Sequence, residues 1–197
     1  MPWTKETDIT ISQKQHHQRR MKMNYTMTNE ECQRFMQNID TYMALQDDDT
    51  MIKAHEAGHM VLLKRYYPSN DYSYGWNDEK GVPCVHDRND YDFSKVSVCK
   101  HHILVSLAGM VSVCKRLGMS RRDTQIVIDY FNQDPHSEGN DLWKATEFIR
   151  LLRNIKVKLD LFKLCGEAYD LISLTDIENE IDVQKKIQKN SENEFAF

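Results

Sequence analysis

The chain has 197 residues, 40% of them hydrophobic and 28% charged, a composition typical of a soluble globular domain with extensions or of two small domains. Its formal net charge of -4 gives no basic surface for nucleic acid, and seven glycines and four prolines are few for a turn-rich β fold. The five cysteines are scattered without a CxxC pair, which favours reduced thiols. No signal-peptide pattern and no run of the roughly 18 apolar residues that a membrane span needs are evident, so we expect an intracellular soluble protein of the cytoplasm.

The first segment, residues 1–27, is polar and has no hydrophobic period, which indicates a flexible N-terminal arm. Thr28 and Glu31 then have the spacing of a capping box and predict the start of a first helix. The main domain is predicted to begin here and to span residues 28–165. Residues 166–197 are predicted to form a C-terminal helix and a frayed tail.

A second helix is predicted from near Thr50, after three aspartates that suit its positive N-terminal end. It should end before Pro68, because proline disfavours helix in the residue that precedes it. Residues 69–89 combine aromatic and β-branched residues with glycine and proline, which predicts a short hairpin or small sheet. Its aromatic residues are Tyr72, Tyr74 and Trp76. These side chains could present an edge strand that a bound peptide extends, or could simply pack against the domain.

A third helix is predicted from an N-cap at Ser94 to a stop at Gly118, with apolar residues at three- and four-residue steps. A short helical piece at 121–131, a helix starting near Asn140 and an amphipathic helix over 166–187 are predicted to follow. The pattern therefore predicts a mainly α fold with a small β-hairpin or sheet, in which the second helix is central.

The middle of that second helix reads His55-Glu56-Ala57-Gly58-His59. Because the two histidines are four residues apart, they share one helical face and can reach one tetrahedral metal ion. The glutamate after the first histidine is then placed to take a proton from a water molecule, as in the HExxH motif of zinc peptidases. The alternative is a helix with two structural histidines and a surface glutamate. Gly58 costs a helix about 1 kcal/mol relative to alanine, which indicates that another backbone comes close.

A catalytic zinc site needs a third protein ligand, and the segment 137–152, SEGNDLWKATEFIRLL, is a candidate source. HEAGH, followed roughly 80 residues later by Asn-Asp-Leu-x-x-Ala-Thr-x-x-x-Arg, resembles the peptidase domain of the FtsH family of membrane-bound ATP-dependent zinc proteases. The segment 107–118, LAGMVSVCKRLG, resembles a further motif of that family, Leu-Gly-Gly-Arg-Ala-Ala-Glu-Glu-Leu-x-Phe-Gly, and keeps Gly109 and Gly118. The resemblance implies that Asp141 is the third ligand of a zinc ion (Zn²⁺).

The sequence also departs from the family. We find no GxxxxGK[ST] phosphate loop in it and expect no transmembrane anchor, and the segment 121–135 is longer than the family's equivalent. The family's arginine and paired glutamates in the middle motif are replaced by Met110, Val113 and Cys114. The resemblance implies a zinc-dependent endopeptidase that acts on polypeptides, for which a separate unfoldase or protease is a candidate partner. The alternative is a catalytically silent zinc-binding regulatory or adaptor module.

Other histidines and acidic residues are weaker candidates. His136 could approach the site, although a solvated loop histidine is the favoured interpretation. Glu138 is an alternative carboxylate ligand, but the family motif favours Asp141. His86 is interpreted as solvated or structural, and His101 and His102 have no ligand spacing.

Overall fold

The computed structural model describes residues 27–45, 48–77, 82–132 and 141–194. Within these ranges the fold is mainly helical with one two-stranded antiparallel sheet, which confirms the predicted fold class. The elements in chain order are α1 (Asn29–Leu45), α2 (Asp49–Tyr66), β1 (Tyr72–Asn77), β2 (Val82–Asp87), α3 (Val96–Arg116), α4 (Arg121–Asn132), α5 (Asp141–Asn154), α6 (Leu161–Leu171) and α7 (Leu174–Glu194). The predicted flexible arm therefore lies, up to residue 26, outside the described residues.

Local capping signals fix the first two helices. The Thr28 hydroxyl accepts a hydrogen bond from the backbone N–H of Glu31, and the Glu31 carboxylate accepts one from the N–H of Thr28, which confirms the predicted capping box. Asp48 caps α2 by accepting hydrogen bonds from two backbone N–H groups in its first turn. As predicted, α2 ends before Pro68.

Helix α3 is the central element of the core and packs against α2, α5 and α6. Every residue from Ile103 to Cys114 is buried, as expected for a helix that is apolar on all sides. In length and hydropathy α3 also meets the criteria for a membrane span, and 61% of its apolar window is buried inside the fold. A second, smaller core lies between α1 and α4 around Phe35, Ile39 and Val127.

Two predicted ends of α3 have different outcomes. Gly118 adopts a positive φ of 76° just beyond the last helical turn, which confirms it as the C-terminal stop. Ser94 was predicted as the N-cap, but the N-cap is Lys95, which makes no side-chain capping hydrogen bond. The Ser94 hydroxyl instead donates to the Asp92 carboxylate in the preceding turn.

Gly58 allows α2 and α3 to approach closely. A Cβ atom built on Gly58 would lie 2.3 Å from the backbone oxygen of Ala108 and 2.3 Å from the Ser112 hydroxyl. The predicted close approach of another backbone is therefore confirmed, and the partner is α3.

The C-terminal segment is two helices, so the single amphipathic helix predicted over 166–187 is wrong. A capping box separates α6 from α7: the Ser173 hydroxyl accepts the N–H of Asp176, whose carboxylate accepts the N–H of Ser173. The predicted domain boundary between residues 165 and 166 falls inside α6, and Ile177 of α7 is fully buried in the main core. Of the predicted frayed tail, residues up to Glu194 are helical.

Candidate metal centre

The side chains of His55, His59 and Asp141 converge at the contact between α2 and α5. The carboxylate oxygen Oδ2 of Asp141 lies 2.9 Å from Nε2 of His55 and 2.9 Å from Nε2 of His59. The three donor atoms all lie within 4.8 Å of one another, so the group could hold a metal ion. The structure thus brings together the three residues that the sequence motifs predict as ligands.

Their convergence follows from helix geometry and from one missing side chain. The four-residue spacing places both imidazoles on one face of α2, with ring centroids 4.8 Å apart. A Cβ atom on Gly109 of α3 would lie 2.5 Å from both Nε2 and Cε1 of His55. Gly109 therefore leaves the space that the His55 imidazole occupies, a contact that sequence reasoning did not identify although it noted the glycine.

A backbone carbonyl orients the second histidine. His59 is 8% exposed, and its Nδ1 lies 2.7 Å from the backbone oxygen of Val105. A carbonyl only accepts, so Nδ1 carries the proton and donates it, which leaves Nε2 directed at Asp141. Histidine ligands of metals are commonly held in this way. Sequence alone could not identify this partner, because any residue at position 105 supplies the same carbonyl.

Lys144 engages the other oxygen of the carboxylate. Its Nζ lies 3.0 Å from Oδ1 of Asp141, whereas Oδ2 faces the two histidines. Lys144 lies three residues after Asp141 on α5 and so projects from the same side of the helix. The carboxylate therefore presents one oxygen to the site and one to a lysine, and the Asp-x-x-Lys spacing was the only sequence signal for this pair.

The electrostatics of the group are those of a strong ion pair. Burial on its own would lower the pKa of His59, but the adjacent Asp141 carboxylate outweighs burial and raises this pKa to about 9. Burial would likewise raise the pKa of Asp141, but the charge of His59 and the hydrogen bonds from both histidines hold it far below its usual range. At neutral pH without metal, His59 is therefore an imidazolium paired with a carboxylate.

The donor set fits zinc. Two imidazole nitrogens and one carboxylate oxygen form the ligand set of several catalytic zinc sites, which keep their fourth position open. Tetrahedral coordination at ordinary bond lengths requires ligand atoms about 3.3 Å apart. Two of the observed separations are 2.9 Å and none exceeds 4.8 Å, so the three donor atoms are close enough to share one ion. Over the ranges that the structure describes, no fourth histidine, cysteine or carboxylate joins the group.

Glu56 faces the hairpin. Its Oε2 accepts a hydrogen bond of 2.8 Å from the backbone N–H of Val85 on β2. Burial lowers the pKa of His59 and Asp141 raises it, and the charge of Glu56 adds a smaller upward contribution, which places the Glu56 carboxylate near the metal-binding group. The other oxygen of Glu56, Oε1, takes no part in this hydrogen bond with Val85. Glu56 is the only carboxylate residue in the HEAGH motif.

The weaker candidates are accounted for where the structure describes them. The ring of His101 stacks on Tyr66 at 4.0 Å, and His102 packs edge-on against Tyr91 at 4.3 Å, so both are structural. His86 is exposed on β2 and its ring lies over Gly75, in agreement with the solvated or structural role predicted for it. His136 and Glu138 lie outside the described residues.

Zinc binding is expected to release a proton from His59. Zinc requires a neutral imidazole, and the pKa of His59 in the metal-free protein is about 9, so near pH 7 binding should displace about one proton from this residue. Zinc affinity should therefore rise about tenfold per pH unit between pH 7 and 9 on account of this group, and then level off. Calorimetric titration of zinc in buffers with different ionisation enthalpies measures the released protons; release close to zero at pH 7 would contradict the ion pair.

Gly109→Ala is expected to weaken zinc binding at least about tenfold, because the new methyl group overlaps the His55 imidazole and displaces a ligand. The matched control is Gly166→Ala in α6, where a Cβ atom would meet the ends of the Arg121 and Gln125 side chains and no candidate ligand. Competition with a chromophoric chelator measures both affinities. Equal affinity in Gly109→Ala and the wild type would show that His55 does not need this space.

Comparison of the chain with protein-family models, with curated proteins and with solved structures finds no significant match in any of the three. The resemblance to the FtsH family therefore rests on the three sequence motifs.

Proposed function

We propose that the protein is a zinc-dependent metalloendopeptidase that hydrolyses peptide bonds in flexible polypeptides. The observation that carries the proposal is the convergence of His55, His59 and Asp141 in one three-donor group, with Glu56 next to the first of them. When bound, zinc supplies a Lewis acid that polarises a carbonyl and lowers the pKa of a water molecule to about 7. The order of the three motifs, which resembles that of the FtsH peptidase domain, supports the same chemistry.

In this proposal the protein's own groups have distinct roles. His55 and His59 supply neutral nitrogen donors, and the Val105 carbonyl keeps the proton of His59 on Nδ1, away from the metal. Asp141 supplies a negative charge that offsets part of the charge of a divalent ion. Lys144 holds the second carboxylate oxygen, which favours a single oxygen contact with the ion.

Glu56 acts as the general base and acid. Its carboxylate accepts a proton from the attacking water and later returns it to the leaving amine. The Val85 N–H fixes one carboxylate oxygen, so that the other is available for proton transfer. A half-buried carboxylate held in this way loses little orientational freedom when the substrate binds.

The substrate is proposed to be an unfolded or flexible segment. The His59 and Asp141 side chains are only 10% and 21% exposed, and the Glu56 carboxylate lies between α2 and β2. A peptide bond reaches such a site only when its chain is extended and free of its own fold. Short peptides, flexible loops and chains released by a separate unfoldase or protease partner meet this condition.

The test is digestion of an intrinsically unstructured protein by the zinc-loaded chain, followed by mass spectrometry of the fragments. We expect cleavage at internal peptide bonds, loss of cleavage with a chelator, and no cleavage of a tightly folded protein of similar length. Bound zinc without any cleavage would refute the endopeptidase and support the silent regulatory or adaptor module instead.

A further inference from the structure

One rung of the hairpin connects the C-terminal helix to the proposed catalytic base. Tyr74 on β1 and Val85 on β2 are partners in the sheet register. The Val85 N–H points away from β1 and donates to Glu56, so the free edge of β2 faces α2. On the other strand, the Tyr74 hydroxyl donates to Oε2 of Glu180 at 3.0 Å. The rung therefore spans from α7 to α2.

Contacts with the rest of the fold hold the Glu180 side chain in place. It is 8% exposed, and its second carboxylate oxygen accepts a hydrogen bond from the Lys64 ammonium group on α2. A buried carboxylate is costly unless it is paired, which makes both partners important. One turn further along α7, the buried Gln184 donates to the backbone oxygen of Lys53 at 2.8 Å. Helix α7 is thus attached to α2 by two direct side-chain contacts.

The hairpin needs such an anchor. An isolated two-stranded sheet is at best marginally stable in water, so its position depends on contacts with the rest of the fold. The side chains of Tyr72 and Val85 pack at the edge of the main core, but apolar contacts are not directional. The Tyr74–Glu180 hydrogen bond is directional, and it lies at the same rung as the Val85–Glu56 contact.

We propose that Glu180 is a positioning residue that acts through Tyr74 and the hairpin to hold the Val85 N–H on Glu56. That Glu180 positions the Val85 N–H follows from the contacts alone, whereas the consequence for catalysis rests on the proposed peptidase function. Without the anchor, β2 moves away from α2 and the Glu56 carboxylate gains rotational freedom. Proton transfer then slows, while the metal ligands remain in place.

The primary test is amide hydrogen exchange in Tyr74→Phe, which removes only the hydroxyl. We expect the Val85 amide to exchange about tenfold faster than in the wild type, because a hydrogen bond to a charged acceptor is lost. Amides in the buried part of α3 should keep their wild-type rates. The matched control is Tyr169→Phe, which removes the hydrogen bond from the Tyr169 hydroxyl to the backbone oxygen of Met119. Neither residue belongs to the hairpin. An unchanged Val85 rate, or equal acceleration in both variants, would overturn the proposal.

Two further variants and an activity measurement complete the test. Glu180→Gln keeps an acceptor for Tyr74 and should accelerate Val85 exchange less than Glu180→Ala, and equal effects would overturn the role of this contact. In peptide cleavage, Tyr74→Phe should lower kcat about tenfold with KM little changed, whereas an unchanged kcat would overturn the catalytic half of the proposal. A wild type that cleaves nothing refutes the proposed function instead, and the exchange comparison, which uses no substrate, is read separately.

Discussion

Glu56→Gln is expected to lower the rate of peptide cleavage by about 100-fold to 10,000-fold, the range associated with loss of a general acid–base group. Glutamine has the shape of glutamate, but its amide does not take a proton from water at neutral pH. Its carbonyl oxygen can still accept the N–H of Val85, so the hairpin should remain in place. Zinc affinity should be nearly unchanged because Glu56 does not belong to the three-donor group.

The measurement is the initial rate of fragment formation from an unstructured protein, together with the zinc content of each preparation. Glu147→Gln is the matched control, since Glu147 lies on α5 in an exposed ion pair with Arg150 and does not contact the metal group. This control should cleave at the wild-type rate. Wild-type cleavage by zinc-loaded Glu56→Gln would remove the assigned base from the mechanism.

Asp141→Ala is expected to have the largest effect on metal binding, with zinc affinity lowered by more than about 100-fold. Loss of a residue that only supports a ligand costs about 10-fold to 100-fold, and Asp141 is itself a donor and the only anion in the group. Asp141→Asn keeps a donor oxygen without the charge and should fall between alanine and the wild type.

The affinities are measured by competition with a chromophoric chelator at a fixed pH. The control is Asp170→Ala, which removes an exposed carboxylate paired with Arg121 and should leave zinc binding unchanged. Wild-type affinity in Asp141→Ala would mean that the third ligand lies elsewhere in the chain.

The local features of the fold could be predicted from the sequence because their signals are local. The Thr28–Glu31 capping box, the end of α2 before Pro68 and the stop at Gly118 each depend on a few neighbouring residues. The break between α6 and α7 carried the same kind of signal, Ser173 followed three residues later by Asp176. The continuous amphipathic pattern on either side of it obscured that signal.

The candidate site could be predicted only in part, because its ligands are marked by motifs but its supporting contacts are not. The spacing of His55 and His59 defines one helical face, and the family resemblance pointed to Asp141. Gly58 indicated a close helix contact without revealing its partner. Nothing in the sequence around Gly109 indicates that it contacts the His55 ring. The groups that contact His59 and Glu56 at Val105 and Val85 are backbone atoms, which any residue supplies. Such contacts depend on how the helices pack, which single-sequence patterns do not encode.

Stepwise addition of zinc to the metal-free wild-type protein, with the rate of polypeptide cleavage followed, tests most directly whether this group is a catalytic zinc site. We predict that the rate rises in proportion to added zinc and reaches its plateau at about one equivalent, as expected for one three-ligand site with an open position. Binding of one equivalent without cleavage, or cleavage that does not depend on zinc, would contradict the claim.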